Sequence, residues 1–462
     1  MREVEWGHQY VAELCEAIWQ LEREHRLDEW EVAGRPVWPA FRMHVYYAAA
    51  RAAGFFGDPH PAKPRESDPA ATAPPEDWQR LLRFHNEAQS RRRPWLRFRR
   101  SPGHTLLIPH HRQVDGFDIY TRALAAGLGG RAMVVDREPH GDAQRLDLVT
   151  ARRRTAGRVG APPDFEVPPA ELARYREFLT ALHQLSGADV LGLADDFEGR
   201  LQSYLKQAWA FEEFLKFART RELYLTDSYF TPALMAAAKA RRVRTVELQH
   251  GFISAYHLGY SYPNGLHAPL LPDEFWTFGE YWTGFLPPQV QTRVIGAPYV
   301  AELALKATEP RDPDLIVFTS QGVLEDRLLR IAIKVAERRP ANRVVYRLHP
   351  SESLADYESA LPHLGDLPPN FQLSAKHPNI FALLGSAGVQ VGVFSTTLLE
   401  GMSLGCRTVV LALPGHEYML PTVQRGDASF AATADEVLAA IDAAPLCSDA
   451  SVYYATPVDK LP

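Results

Sequence analysis

Short runs of branched and aromatic residues alternate with helical stretches along most of this chain, and each run ends in a polar loop. ELYLTD (222–227) leads into TPALMAAAKARR and then VRTVELQ, while DLIVFTSQG leads into VLEDRLLRIAIKVAERR and then NRVVYRLHP. Strands separated by helices of this length cannot pair as hairpins, so they lie parallel in a sheet covered by helices on both faces. The chain has 462 residues, well past the size at which one core stops growing, so two such sheets are expected. The expected fold is α/β, two facing doubly wound Rossmann-like domains with a cleft between them.

The boundary follows from a change of composition. ATEPRDPD (307–314) interrupts the alternation with acidic residues and prolines. It separates an N-terminal domain, 1–306, from a C-terminal domain, 307–445, with a tail, 446–462, expected to cross back. The N-terminal domain begins with a helical segment (8–55) carrying Leu14, Ile18 and Leu21 on one face. A stretch with six prolines, 58–77, reads as a linker or surface excursion. SRRRPWLRFRR (90–100) interleaves six arginines with Trp95 and Phe98. It is either a solvated arm or a patch for an anionic membrane surface.

The formal net charge of -6 argues against a nucleic-acid binder. Three scattered cysteines without C-x-x-C spacing suit a reducing compartment and exclude a cysteine-based zinc site. The polar, acidic start is unlike a signal peptide, and no apolar run reaches membrane-spanning length, so the expected location is cytoplasmic, with peripheral contact at the inner membrane through the arginine-rich segment. His104, His110 and His111 lie close in sequence, but no ligand from another element accompanies them; no metal and no cofactor is expected.

Three strand-end loops of the second domain suit phosphate. TSQG supplies Ser320, Gln321 and Gly322; LHPSE supplies His349, Pro350 and Ser351; FSTT supplies Ser395, Thr396 and Thr397. Hydroxyls and free backbone N–H groups at a helix N-terminus attract phosphate, although Ser395 or Thr396 acting only as an N-cap is the plain alternative. Glu400, one turn into the following helix, is placed to accept hydrogen bonds from a ribose.

These motifs carry a resemblance. The strand-HP turn in RLHPSES and the element FSTTLLEGMSLGCRTVV resemble those of GT-B glycosyltransferases that build bacterial capsule, O-antigen and related polysaccharides, including sialyl- and Kdo-transferases. LQHGFIS followed by LHPSE is similar to the HG and HP pair of CDP-glycerol glycerophosphotransferases. The resemblance covers most of 220–415. It implies a nucleotide-sugar donor, CMP- or UDP-linked, held in the second domain with His349 at its phosphate. It also implies a glycan or lipid-linked acceptor in the first domain. Two departures narrow it: Arg407-Thr408 stands where the family has proline, and no clean acidic-acidic-glycine motif is present. A polyol-phosphate transferase, a nucleotide-sugar epimerase or a non-catalytic glycan-binding module share the pattern.

A general base for an acceptor hydroxyl belongs on the first domain. Asp115, in HHRQVDGFD, is one candidate, with His111, Arg112 and Asp118 beside it; an Asp-Gly turn is the alternative. His250, at the end of VRTVELQ, is the other, as base or as phosphate partner, with an ordinary turn histidine as the alternative. Asp227 is expected to orient His250 or touch acceptor. Gly251 admits close approach of a ligand, and Gln249 and Tyr256 form polar wall.

Overall fold

The computed structural model describes residues 10–56, 105–110, 118–137, 147–263, 265–305, 310–322, 327–350, 352–355, 357, 367–375, 379–459 and 461. The proline-rich and arginine-rich stretches, and Asp115, His111, Arg112 and Ser351, lie outside them.

The opening helical segment forms α1 (Tyr10–Glu24) and α2 (Trp38–Ala52), separated by a ribbon of β1 (Glu31–Val32) and β2 (Arg35–Pro36). Gly34, at φ +68°, makes the tight turn between the two strands. The helices are locked together by a buried ion pair, Arg42 Nε to Glu22 Oε1 at 2.5 Å, with both side chains about 1% exposed. Trp38 Nε1 donates to the same carboxylate at 2.6 Å, so the buried charge is hydrogen-bonded as well as paired.

Two six-stranded parallel sheets follow. The first comprises β3 (Thr105–Leu107), β4 (Ala132–Val134), β5 (Glu222–Leu225), β6 (Arg244–Leu248), β7 (Glu274–Thr277) and β8 (Gln291–Val294), in the order β4-β3-β5-β6-β7-β8. The second comprises β9 (Asp312–Thr319), β10 (Arg343–Arg347), β11 (Phe371–Ser374), β12 (Ala387–Gly392), β13 (Arg407–Leu411) and β14 (Ser429–Ala431), in the order β11-β10-β9-β12-β13-β14. Leu315, Ile316, Val317 and Phe318 are all fully buried, as expected for a strand covered on both faces. Both sheets are doubly wound: each starts in the interior and winds outward to either side. The fold is therefore the two-domain, Rossmann-like α/β arrangement of the GT-B type.

This order decides where ligands bind. In a doubly wound sheet a crevice opens at the carboxyl ends of the two strands flanking the reversal of direction. Those strands are β3 and β5 in the first sheet, and β9 and β12 in the second.

The strand-end loops of the two sheets meet. Phe252, beyond β6, has its ring 6.3 Å from that of Tyr418, which packs edge-on against Phe394, beyond β12, at 5.1 Å. Glu417 accepts the Val11 N–H at 2.7 Å, satisfying an otherwise orphaned donor at the start of α1. The C-terminal segment returns to the first sheet. Trp282 Nε1 donates to Tyr453 O at 2.7 Å, Ala455 N to Phe278 O at 2.8 Å, and Val458 N to Ile295 O at 3.1 Å. Glycines make room for it: a Cβ at Gly279 would stand 2.3 Å from Val452 O.

Candidate active site

At the switch point of the first sheet, β3 delivers His110, β5 delivers Asp227 and β6 delivers His250. Asp227 is buried, and its backbone is left-handed at φ 51°, a conformation aspartate tolerates better than most residues. The turn aims the carboxylate sideways into three cations or potential cations. His250 Nε2 lies 2.6 Å from Oδ1, His110 Nε2 lies 3.2 Å from Oδ2, and Arg137 Nη1 donates to Oδ2 at 2.9 Å. The two imidazoles stack with centroids 5.1 Å apart, and the Tyr120 ring stands edge-on to both.

Burial by itself would lower the pKa of His250. The charge and hydrogen bond of Asp227, followed by the charge of Glu247, outweigh it and raise the pKa above its usual 6.5. Behind this layer Glu247 is fully buried on β6, and burial pushes its carboxyl up to about 7 against hydrogen bonds from Ser228 N and Tyr260. His257 moves the other way, down to about 4, through burial first and then the charge of His250.

Nδ1 of His250 is closed off from solvent and has no hydrogen-bond partner among the described residues. With Nε2 facing the carboxylate at 2.6 Å, the tautomer protonated at Nε2 presents a lone pair at Nδ1, the arrangement used by a general base. A Cβ built at Gly251 meets nothing within 4 Å, so the backbone beside the imidazole borders open space.

The same cluster is a candidate cation site. Donor atoms of His110, Asp227 and His250 lie within 4.8 Å of one another, the only such group among the described residues. This corrects the view that the histidines lack a ligand from another element, since β5 and β6 supply it. Two histidines and a carboxylate are a transition-metal donor set. Here, however, the Arg137 guanidinium already neutralises that carboxylate.

Other first-domain candidates have structural tasks. Asp118 is buried; it accepts His110 N at 2.9 Å, Tyr120 N at 2.8 Å and the Thr121 hydroxyl, so it shapes the loop that carries His110 instead of facing an acceptor. Gln249 is buried with both ends of its amide used, Nε2 to Gly251 O at 3.0 Å and Oε1 from Phe278 N at 2.8 Å. It braces the turn and is not wall. Tyr256 stacks on Trp19 of α1 at 6.0 Å, on the side of the helical segment.

In the second sheet the loops after β9 and β10 are tied together by Glu352. Glu352 accepts the Ser320 hydroxyl at 2.9 Å, His349 N at 2.6 Å and the Tyr357 hydroxyl at 2.6 Å. It clamps the loops after β9 and β10 beside the switch point. The signal was legible: a glutamate three residues after His349 reaches back to its N–H, as a capping-box residue does. Ser320 Oγ in turn accepts Gly322 N at 3.3 Å, Gln321 Nε2 donates to Thr319 O at 3.4 Å, and Pro350 is exposed at the turn.

Ser395 caps the helix Thr396–Ser403, accepting Thr397 N at 3.1 Å, and Ser395, Thr396 and Thr397 are half-buried at its N-terminus. Glu400 is buried and accepts the Tyr299 hydroxyl at 3.0 Å, which places it in the packing between the sheets instead of at an open ribose site. Tyr299 stands edge-on to Tyr120 at 5.4 Å. A continuous path of contacts thus runs from His250 through Tyr120 and Tyr299 to Glu400 on the Ser395 helix.

No protein-family model and no curated protein matches the chain. Among solved structures it is similar to the calicheamicin glycosyltransferase, with 15% identity and a TM-score of 0.39 over 76% of this chain and 92% of that one. It is also similar to the UDP-GlcNAc 2-epimerase of Methanocaldococcus jannaschii, with 9% identity and a TM-score of 0.43 over 75% and 92% of the respective chains. The UDP-GlcNAc 2-epimerase of Neisseria meningitidis gives 13% identity and a TM-score of 0.43 over 73% and 90%. The fold assignment rests on the strand order, not on these likenesses.

Proposed function

We propose that the chain is a transferase that moves a sugar from a nucleotide-activated donor to an acceptor hydroxyl, with the donor on the second sheet and the acceptor on the first. The observation that carries the reading is the His250–Asp227 pair at one switch point, linked through Tyr120, Tyr299 and Glu400 to the Thr396–Ser403 helix at the other. Donor phosphate sits against the Thr396–Ser403 helix N-terminus and the His349 turn, where the helix dipole stabilises charge building on the leaving group. His250 takes the acceptor proton at Nδ1 while Asp227 holds Nε2 and stabilises the imidazolium. Arg137 and His110 keep the Asp227 carboxylate in register.

For Nδ1 to act, the acceptor displaces the groups that shield it. The reading assigns stabilisation of the leaving phosphate to the helix N-terminus and the His349 turn and invokes no divalent metal. The HG and HP motifs support a CMP- or UDP-linked donor and a glycan or lipid-linked acceptor in bacterial surface-polysaccharide synthesis. Among the described residues no helix is long and apolar enough to cross a membrane.

The test is release of nucleotide from CMP- and UDP-sugars and from CDP-glycerol, with and without glycan acceptors. Acceptor-dependent release that fails in His250→Gln supports the reading. Inversion at the donor sugar without acceptor, or unchanged release in His250→Gln, sinks it.

A further inference from the structure

Beside the imidazole cluster the first domain holds a second feature, a cavity of about 400 Å³. Its walls come from α2, the helix Leu148–Val159, the helix Phe197–Ala218 and the start of the helix Pro232–Ala240. The volume suits a sugar-sized ligand. Its lining among the described residues is one-signed: Arg137, Arg152, Arg200 and His44 face it, and no described aspartate or glutamate does.

The three arginines are not equally spoken for. Arg137 is paired with Asp227 at 2.9 Å. Arg152 has no ion pair with a described residue. Arg200 has only Asp196 at 3.9 Å, with both side chains at least half exposed, a contact worth little in water. His44 registers the excess: burial first, and then the charges of Arg200 and Arg51, lower its pKa. Apolar surface from Phe41, Phe211 and Phe230 completes the lining, and Phe230 is 51% exposed. Guanidinium groups and aromatic rings lining one cavity fit an oxyanion attached to a partly apolar ring.

We propose that this cavity binds the anionic group of the acceptor, a phosphate or carboxylate on a sugar-sized body. It rests on the reading of the first sheet as the acceptor side. Arg137 joins the two features: it lines the cavity and bonds the carboxylate that holds His250. Arg152 and Arg200 line the cavity as well; in this proposal they select the ligand and take no part in the chemistry.

The experiment titrates the full chain with glucuronate and with glucose 6-phosphate as anionic probes, and with glucose as the neutral control. Saturable binding of at least one anionic probe at millimolar concentration is expected, weakening as salt rises. Arg152→Gln and Arg200→Gln each weaken it about 10- to 100-fold, the usual worth of a charge-assisted contact. Preference between the two probes tells carboxylate from phosphate. Equal binding of glucose, no binding of either anion, or binding unchanged in both variants overturns the proposal. Nucleotide binding to the second sheet, measured in the same variants, stays at the wild-type level. Anion binding that survives while no sugar transfer is found removes the transferase reading alone.

Discussion

His250 Nε2 and Asp227 Oδ1 lie 2.6 Å apart, although the two residues end different strands and are separated by a helix and a turn. Adjacent parallel strands β5 and β6 deliver them to the same edge, and the left-handed backbone at Asp227 turns its carboxylate toward the imidazole. His250→Gln therefore lowers kcat by about 10²- to 10⁴-fold, the range for loss of a general base, and leaves donor affinity unchanged. Steady-state kinetics together with nucleotide titration check both halves.

Asp227→Asn keeps the backbone comfortable, because asparagine also adopts left-handed φ, but removes the charge that raises the His250 pKa. The acidic limb of the kcat–pH profile moves to lower pH, and kcat falls because the imidazolium loses its partner. A limb that stays in place refutes the pairing. The wild-type pair favours the protonated imidazole, so its contribution to stability is complete below the usual 6.5 and is lost as pH rises through the higher folded value. Urea titrations at a series of pH values read that loss.

Glu247 gives an opposite signature for a carboxyl. Its folded pKa of about 7 stands above the usual 4.5, so the folded state binds the extra proton and stability falls as pH rises between those values. Glu247→Gln removes that slope while keeping acceptors for Ser228 N and the Tyr260 hydroxyl. Thermal melts of both proteins at pH 5 and pH 8 compare the two slopes.

Glu352→Gln weakens the clamp between the loops carrying Ser320 and His349. Loss of charge-assisted bonds costs about 1.5–3 kcal/mol, which is expected mainly as weaker donor binding with a smaller change in kcat. Isothermal titration with nucleotide measures it; unchanged affinity refutes the placement of donor phosphate at these loops.

Chelation with EDTA leaves transfer at the wild-type rate, because Arg137 occupies the carboxylate a metal would need. Activity lost to EDTA and restored by a divalent ion reverses this reading and makes His110, Asp227 and His250 the ligands.

The alternation of apolar runs and helices was legible because it reflects local physics. A strand buried on both faces must be continuously apolar, as Leu315–Phe318 are, and a crossover helix must be amphipathic. The strand ends followed from where those runs stop, which is why His250, His349 and Ser395 were found at carboxyl edges. Neighbours across the sheet were not legible, since strand order is set by packing between distant segments. Nothing near Asp118 or Gln249 marks them as loop braces, and nothing near Glu400 names Tyr299 as its partner.

The sequence by itself determined the α/β class, the two runs of alternation and the polar strand tips, because each depends on residues within a few positions of one another. Only the tertiary structure decided that His110, Asp227, His250 and Arg137 share one centre, and that Arg137, Arg152 and Arg200 line one cavity. Their encounter depends on strand order and on turn conformation, and the energy that enforces both is spread over the whole core.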